Sequence, residues 1–320
     1  MGTREKLFNN CIVLMLAVII LAGCAKETTT SISTTSNSVS QSSIAADDVT
    51  INNEMDHFID DAITVLCNPY ATLPNAYGYP IDSVSPGVIE ILYNQKPQPD
   101  GKIYKGGDSI HFNPSVSWGT KGATASITFG YANAGSEYEV TFGSSSSSAA
   151  LRFEGTITIT NVSGGLLQNL TSSDSLVIKI QDDATVGYTF NENVATIVYY
   201  TLKVNQIRSF TKPAGNLYAT TRGDTNVGGY TNVSNWGLDN NGDSYFASIT
   251  SAVVQNISNT TLSYNPLNGA KDIQAIAEPI LCSYGVTQQG VPISSGTPYG
   301  FNITWYNNGG QAQNVIPYYY

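Results

Sequence analysis

Histidine and positive charge are what this 320-residue chain has least of. It holds two histidines, His57 and His111, and 14 Lys+Arg against 24 Asp+Glu, a net charge of −10. Two histidines cannot build a three-histidine metal site and leave few options for Ser-His or Cys-His catalysis. Binding to nucleic acid is dominated by Lys and Arg neutralising phosphates, so this balance argues against it. Charged residues make up only 12% of the chain, about half the share usual in globular domains. Ser, Thr, Asn and Gly fill the gap. There are four cysteines and no CxxC spacing, which leaves zinc without a ligand set. No Gly-x-Ser-x-Gly elbow surrounds any serine. What the chain does have is aromatic mass: 20 Tyr, 10 Phe and 3 Trp. That content excludes a wholly disordered chain and allows one large β domain or two smaller ones.

Residues 1–23 read as a signal peptide, with Arg4 and Lys6 ahead of the apolar stretch CIVLMLAVIILAG at 11–23. Thirteen helical residues rise about 20 Å, short of a hydrocarbon core of roughly 30 Å, so a permanent transmembrane helix is disfavoured. The run ends Leu21-Ala22-Gly23-Cys24, which resembles the lipobox of bacterial lipoproteins. That resemblance implies cleavage before Cys24, a diacylglycerol thioether on its sulfur and a fatty acid such as palmitate on its new amino group. One acyl chain anchors a protein only marginally, whereas two or three hold it firmly. With Arg4, Glu5 and Lys6 removed, 12 basic and 23 acidic residues remain, a net charge of −11. No polybasic patch is present, so attachment rests on the acyl chains. Residues 24–46 are rich in Ser and Thr, lack aromatics and read as a lipidated, flexible tether. Residue 25 is Ala rather than the Asp of the enterobacterial inner-membrane retention signal. The outer membrane is the expected address, with the facing leaflet open.

Cys11 leaves with the signal and Cys24 is taken by lipid, so Cys67 and Cys282 remain. An even pair in an oxidising compartment makes them a candidate disulfide; two buried free thiols are the alternative. Over 51–66, Ile51, Met55, Phe58, Ile59, Ala62, Ile63 and Leu66 fall on one stripe at helical spacing. Asn68-Pro69 ends that helix. His57 lies off the stripe and is expected to be solvated.

Beyond the helix the period changes to two. Leu151, Phe153, Ile157 and Ile159 face one side of a strand while Arg152, Glu154, Thr156 and Thr158 face the other. Tyr138, Val140 and Phe142 alternate in the same way, as do Phe301, Ile303 and Trp305. Further strand-like runs occupy 87–93, 124–132, 175–180, 194–204, 245–257 and 273–281. One wet and one dry face indicate antiparallel sheet. The fold class is therefore mainly β: an antiparallel β-sandwich or strongly curled sheet over 47–320, with one N-terminal amphipathic helix packed on one side.

These pieces occur in an order that resembles a group of uncharacterised β-rich lipoproteins of the Bacteroidota. They are the helix at 51–66, Cys67, Ile127–Gly130, Arg152–Thr160, Tyr245–Thr250, Cys282 and Pro292–Thr297. The resemblance carries no assigned activity.

Several constellations in the chain resemble chemical sites. Asp239, Asn241 and Asp243 alternate like oxygen ligands of a calcium loop, but residue 250 is Thr where a bidentate acid is required, so a polar hairpin turn is expected. Arg222-Gly223-Asp224 spells an adhesion tripeptide within a loop-like stretch at 222–235. Glu137 and Glu139 share a strand face without the cleft that paired glycosidase carboxylates need. Ser83, Ser109 and Ser175 each follow Asp and precede an aliphatic residue, resembling the O-glycosylation acceptor of the Bacteroidota. Trp118, Trp236 and Trp305 are candidates for a sugar-stacking platform or for the core. The expectation is a lipid-anchored envelope protein with a structural or binding role, no enzymatic activity, no cofactor and no metal. The alternatives are a carbohydrate-binding lipoprotein of a polysaccharide-uptake system and a fimbrial subunit. The membrane is the expected partner through the anchor. A glycan or an envelope protein is the further partner class.

Overall fold

The computed structural model describes residues 34–68, 80–97, 102–129, 138–142, 149–189, 197–238, 242–258, 266–275, 278–293, 299–306 and 312–319. The chain divides into Met1–Asn37 and Ser38–Tyr320, and the architecture below is that of the second unit. It contains all but the first four residues of one long helix, α1 (Thr34–Cys67), followed among the described residues by strands and two short 3-10 turns, Leu167–Asn169 and Pro213–Gly215. The strands are β1 (Pro80–Ser85), β2 (Val88–Pro97), β3 (Lys102–Phe112), β4 (Thr124–Phe129), β5 (Tyr138–Phe142), β6 (Ala149–Asn161), β7 (Ser175–Thr189) and β8 (Ile197–Thr211). Then come β9 (Tyr218–Gly223), β10 (Thr225–Val227), β11 (Tyr230–Leu238), β12 (Ser244–Asn256), β13 (Pro266–Ala275), β14 (Glu278–Val286), β15 (Gly300–Tyr306) and β16 (Ala312–Val315).

Among the described residues the sixteen strands join one antiparallel sheet, thirteen of them in the order β1-β2-β3-β4-β6-β7-β8-β11-β12-β13-β14-β15-β16, with β5 and β9 off this path and β10 paired to β11. Two lanes of the sheet are filled end to end by short strands. β4 pairs with Asp108–Phe112 of β3 while β5 pairs with Lys102–Lys105 of the same strand, and both also pair with β6. In the same manner β11 and β9 share the lane between β8 and β12.

Strands as far apart as β2 and β13 touch the same helix. Tyr93 of β2 and Lys271 of β13 both bond to its carboxylates. Eight strand spacings separate these two, about 38 Å in a flat sheet, whereas a helix with its side chains is only about 10–12 Å across. The sheet is therefore strongly curled around α1. The alternating residues read from sequence supply its inner face: Leu151, Phe153, Ile157 and Ile159 are fully buried. Phe58 of α1 is wedged edge-on against Phe129 of β4 and Phe153 of β6, with ring centroids 4.5 and 5.2 Å away.

Four expectations need correction. The helix starts at Thr34, so residues 34–46, expected in the tether, are helical. The expected residues 24–33 of that tether lie outside the described residues. The helix is enclosed rather than packed on one side, because its polar stripes find polar partners on the strands. The run at 273–281 is two strands, β13 and β14. The stretch 222–235 is mostly strand, in β9, β10 and β11.

Candidate functional site: a polar belt around the buried helix

A helix enclosed by a sheet should be apolar all round, yet α1 carries Asp48, Asn52, Glu54, Asp56, His57, Asp60 and Asp61, all buried. Spacing explains their grouping. Asp48, Asn52, Asp56 and Asp60 recur every fourth residue and form one stripe, while Glu54, His57 and Asp61 form a second. Each stripe meets cations and hydroxyls sent in from the strands.

Arg208 of β8, fully buried, grips Asp60 bidentately: Nε donates to Oδ1 at 2.8 Å and Nη2 to Oδ2 at 2.7 Å. Its Nη1 donates to Thr221 Oγ1 at 2.7 Å and Gln255 Oε1 at 2.8 Å, and lies 2.9 Å from Asp56 Oδ2. The guanidinium also lies 5.6 Å from the centre of the Phe210 ring. Two to three turns toward the helix N-terminus, Asp48 accepts from Lys271 Nζ at 2.9 Å and Asn235 Nδ2 at 2.7 Å. On the second stripe, Lys102 Nζ and Tyr104 Oη donate to the two oxygens of Glu54 at 2.8 and 3.0 Å. His57 stacks on the Tyr104 ring, 4.9 Å between centroids and 8° from parallel. Tyr93 Oη donates to Asp61 Oδ2 at 3.0 Å.

Acids outnumber bases in this belt, and burial penalises the charged form of each. Burial raises Asp60 to about 6 against the opposing pull of Arg208. It raises Asp61 to about 8, with Tyr93 pulling the other way and Asp60 adding to the rise. Asp108 of β3, fully buried with neither carboxyl oxygen hydrogen-bonded, is pushed well above the usual carboxylate range by burial and by Asp61. Burial, helped by Lys102, lowers His57 to about 3. The expectation of a solvated His57 is thus corrected: it is a neutral, stacked core residue.

Cys67 and Cys282 are both free thiols, which corrects the candidate disulfide. Cys67 ends α1, where its Sγ accepts the Leu167 N–H at 3.4 Å. Cys282 is in register with Lys271, whose ammonium reaches Asp48. Asp48 and Cys67 are separated along the helix by about 28 Å, far beyond the roughly 7 Å Cα limit for a bridge. Burial raises both thiols, Cys282 to about 12, which keeps them unreactive.

The other sequence candidates scatter. Asp239, Asn241 and Glu137 lie outside the described residues, and Glu139 is on β5. Ser109 is buried in β3, which removes it as a glycosylation acceptor; Ser175 opens β7 exposed, and Ser83 lies in β1. Trp118 and Trp305 are buried and Trp236 half-buried, so they do not form a sugar platform. Arg222-Gly223-Asp224 closes β9 rather than forming a displayed loop, and Asp224 is paired with Lys179 at 2.9 Å. A Cβ on Gly223 would overlap the Asn232 carbonyl of β11. Gly223→Ala is therefore expected to cost about 1–3 kcal/mol in urea unfolding, and an unchanged midpoint would show that β11 can yield there.

Among the described residues no three His, Cys, Asp or Glu side chains form a metal-binding group, and no helix is long and apolar enough to cross a membrane. Sequence reasoning missed Arg208, Lys271, Lys102 and Asp108. One signal was available: residues 28–95 contain no Lys or Arg, so the acids of α1 had to find their cations far along the chain. No family model, curated protein or solved structure matches the chain.

Proposed function

We propose that this chain is a bacterial lipoprotein of the cell envelope: a curled β-sheet body held on the outer membrane through Cys24, with a structural or binding role. The observation that carries the reading is Leu21-Ala22-Gly23-Cys24 at the end of a charge-free apolar run. Two further facts support it. The acidic sequence offers no electrostatic route to an anionic membrane, so lipid is the means of attachment. The belt residues are engaged with one another inside the sheet, where they brace the body instead of facing a substrate.

The test is Cys24→Ser expressed in an envelope-forming bacterium. The wild-type protein is expected in the membrane fraction, with an intact mass matching residues 24–320 plus a diacylglyceryl group and a fatty acid. The variant is expected to lose the lipid and move to the soluble fraction. A wild-type protein with an unmodified Cys24 would overturn the assignment.

A further inference from the structure

A cavity of about 20 Å³ lies beside α1, lined among others by Asn52 and Asp56 of the helix, Gln206 of β8, Thr221 of β9, Lys271 of β13 and Tyr284 of β14. It has room for one body the size of a water molecule. Two acceptor atoms on its lining residues, Asp56 Oδ1 and Gln206 Oε1, are buried and have no hydrogen-bond partner. Asp56 and Gln206 are only 5% and 2% exposed, so neither oxygen can turn to bulk solvent. A buried acceptor left unpaired is costly, and one on a carboxylate more so.

The surrounding charge does not balance. Asp48, Asp56 and Asp60 bring three carboxylates, and Lys271 and Arg208 bring two cations. Lys271 Nζ is turned to Asp48 Oδ2 at 2.9 Å, and two arms of Arg208 are committed to Asp60. Its third arm already donates to Thr221 and Gln255, which exhausts the two protons of Nη1. Asp56 is the third carboxylate in this count: Arg208 Nη1 lies 2.9 Å from its Oδ2, its Oδ1 has no hydrogen-bond partner, and the residue lines the cavity. Burial raises its proton affinity, while the charges of Arg208 and Lys271 and hydrogen bonding with Gln255 and Arg208 pull it back.

We propose that this cavity binds one monovalent cation of potassium or ammonium size, with Asp56 Oδ1 and Gln206 Oε1 among its ligands. Both ions are close to water in radius. A site with one unpaired carboxylate oxygen beside neutral oxygens and two fixed cations suits a single positive charge; calcium and magnesium sites use oxygen ligands with more carboxylate charge. An anion finds only acceptors at the two open atoms. A water molecule satisfies both acceptors and leaves the charge in place. The site does not depend on the envelope placement of the protein.

Thermal unfolding at constant ionic strength tests it. Potassium or ammonium chloride is expected to raise Tm by about 2–4 °C relative to choline chloride, whose cation is too large to enter. Asp56→Asn is expected to abolish that difference, while Asp224→Asn, on the surface pair with Lys179, keeps it. Crystals of the wild-type protein soaked in rubidium chloride are expected to show anomalous scattering in the cavity, which holds the test open should Asp56→Asn not fold. Equal Tm in potassium and choline, or rubidium absent from the cavity, would overturn the proposal and leave a proton on Asp56 as the neutralising species.

Discussion

Arg208→Met is expected to lower the unfolding free energy by about 3–5 kcal/mol, the range seen when one partner of a buried ion pair is removed. Methionine keeps much of the length and the apolar contact with Phe210 but supplies none of the guanidinium's donors. Asp60 then loses both of its short bonds, Thr221 and Gln255 lose their shared donor, and Asp56 loses the cationic nitrogen 2.9 Å from its Oδ2. Two carboxylates remain buried beside each other. Urea unfolding at pH 7 followed by circular dichroism measures the loss. A second substitution separates the two origins of that loss. Arg208→Met with Asp60→Leu removes both halves of the bidentate pair and is expected to recover much of the deficit, because an apolar pair of similar volume does not have to be desolvated. A single-variant cost under about 1 kcal/mol would mean that Asp60 and Asp56 simply take up protons, and that the guanidinium contributes little to holding α1 in place.

The same cluster marks where the sequence stops being readable. Leu151, Phe153, Ile157 and Ile159 alternate with polar neighbours, and all four are buried in β6; a local period of two needs no knowledge of the partner strand. The apolar stripe of α1 was legible for the same reason, since Met55, Phe58, Ile59 and Ala62 repeat at helical spacing and are fully buried. His57, off that stripe, reads as solvated, because from sequence a polar face and a wet face look alike. What distinguishes them lies 48 residues away for Glu54 and Lys102, 148 for Asp60 and Arg208, and 223 for Asp48 and Lys271. No local pattern encodes such a pairing. The long strand at 273–281 failed for a related reason. Ile276-Ala277, between β13 and β14, carry no Gly, Asn, Asp or Pro to mark a turn. In β9 the reverse holds: Gly223 resembled a loop residue, while its lack of a side chain is what lets β11 come close.

Raising the pH from 6.5 to 8 is expected to destabilise the protein, and Asp61→Asn to make that decline shallower by about one proton. Asp61 stands at about 8 in the folded chain against 3.8 for a free side chain. Its folded value is raised, so the stability it contributes is fully present below pH 4 and is lost as pH rises through 8. In that window the unfolded chain has already ionised and the folded chain must still give up a buried proton. Linkage sets the decline at about 1.4 kcal/mol per pH unit for each such group. His57 works in the opposite sense. Its folded value, about 3, is depressed below 6.5, so its contribution is present above pH 6.5 and is lost as pH falls through 3. Between pH 4 and 6.5 the two slopes cancel, and Asp60, at about 6, adds its own decline there. Above pH 6.5 His57 and Asp60 fall silent, leaving Asp61 and its neighbour Asp108, which is raised well above the usual range partly by Asp61 itself. Over those 1.5 units Asp61 alone accounts for about 2 kcal/mol. Asn at position 61 can still accept the Tyr93 hydroxyl, so the variant removes the titration and keeps the bond. Urea midpoints at pH 6.5, 7, 7.5 and 8 for both proteins give the slopes directly. Parallel slopes would show that Asp61 is ionised throughout, with its charge balanced by a nearby cation such as a protonated His57, whose Nδ1 lies 3.6 Å from Asp61 Oδ2.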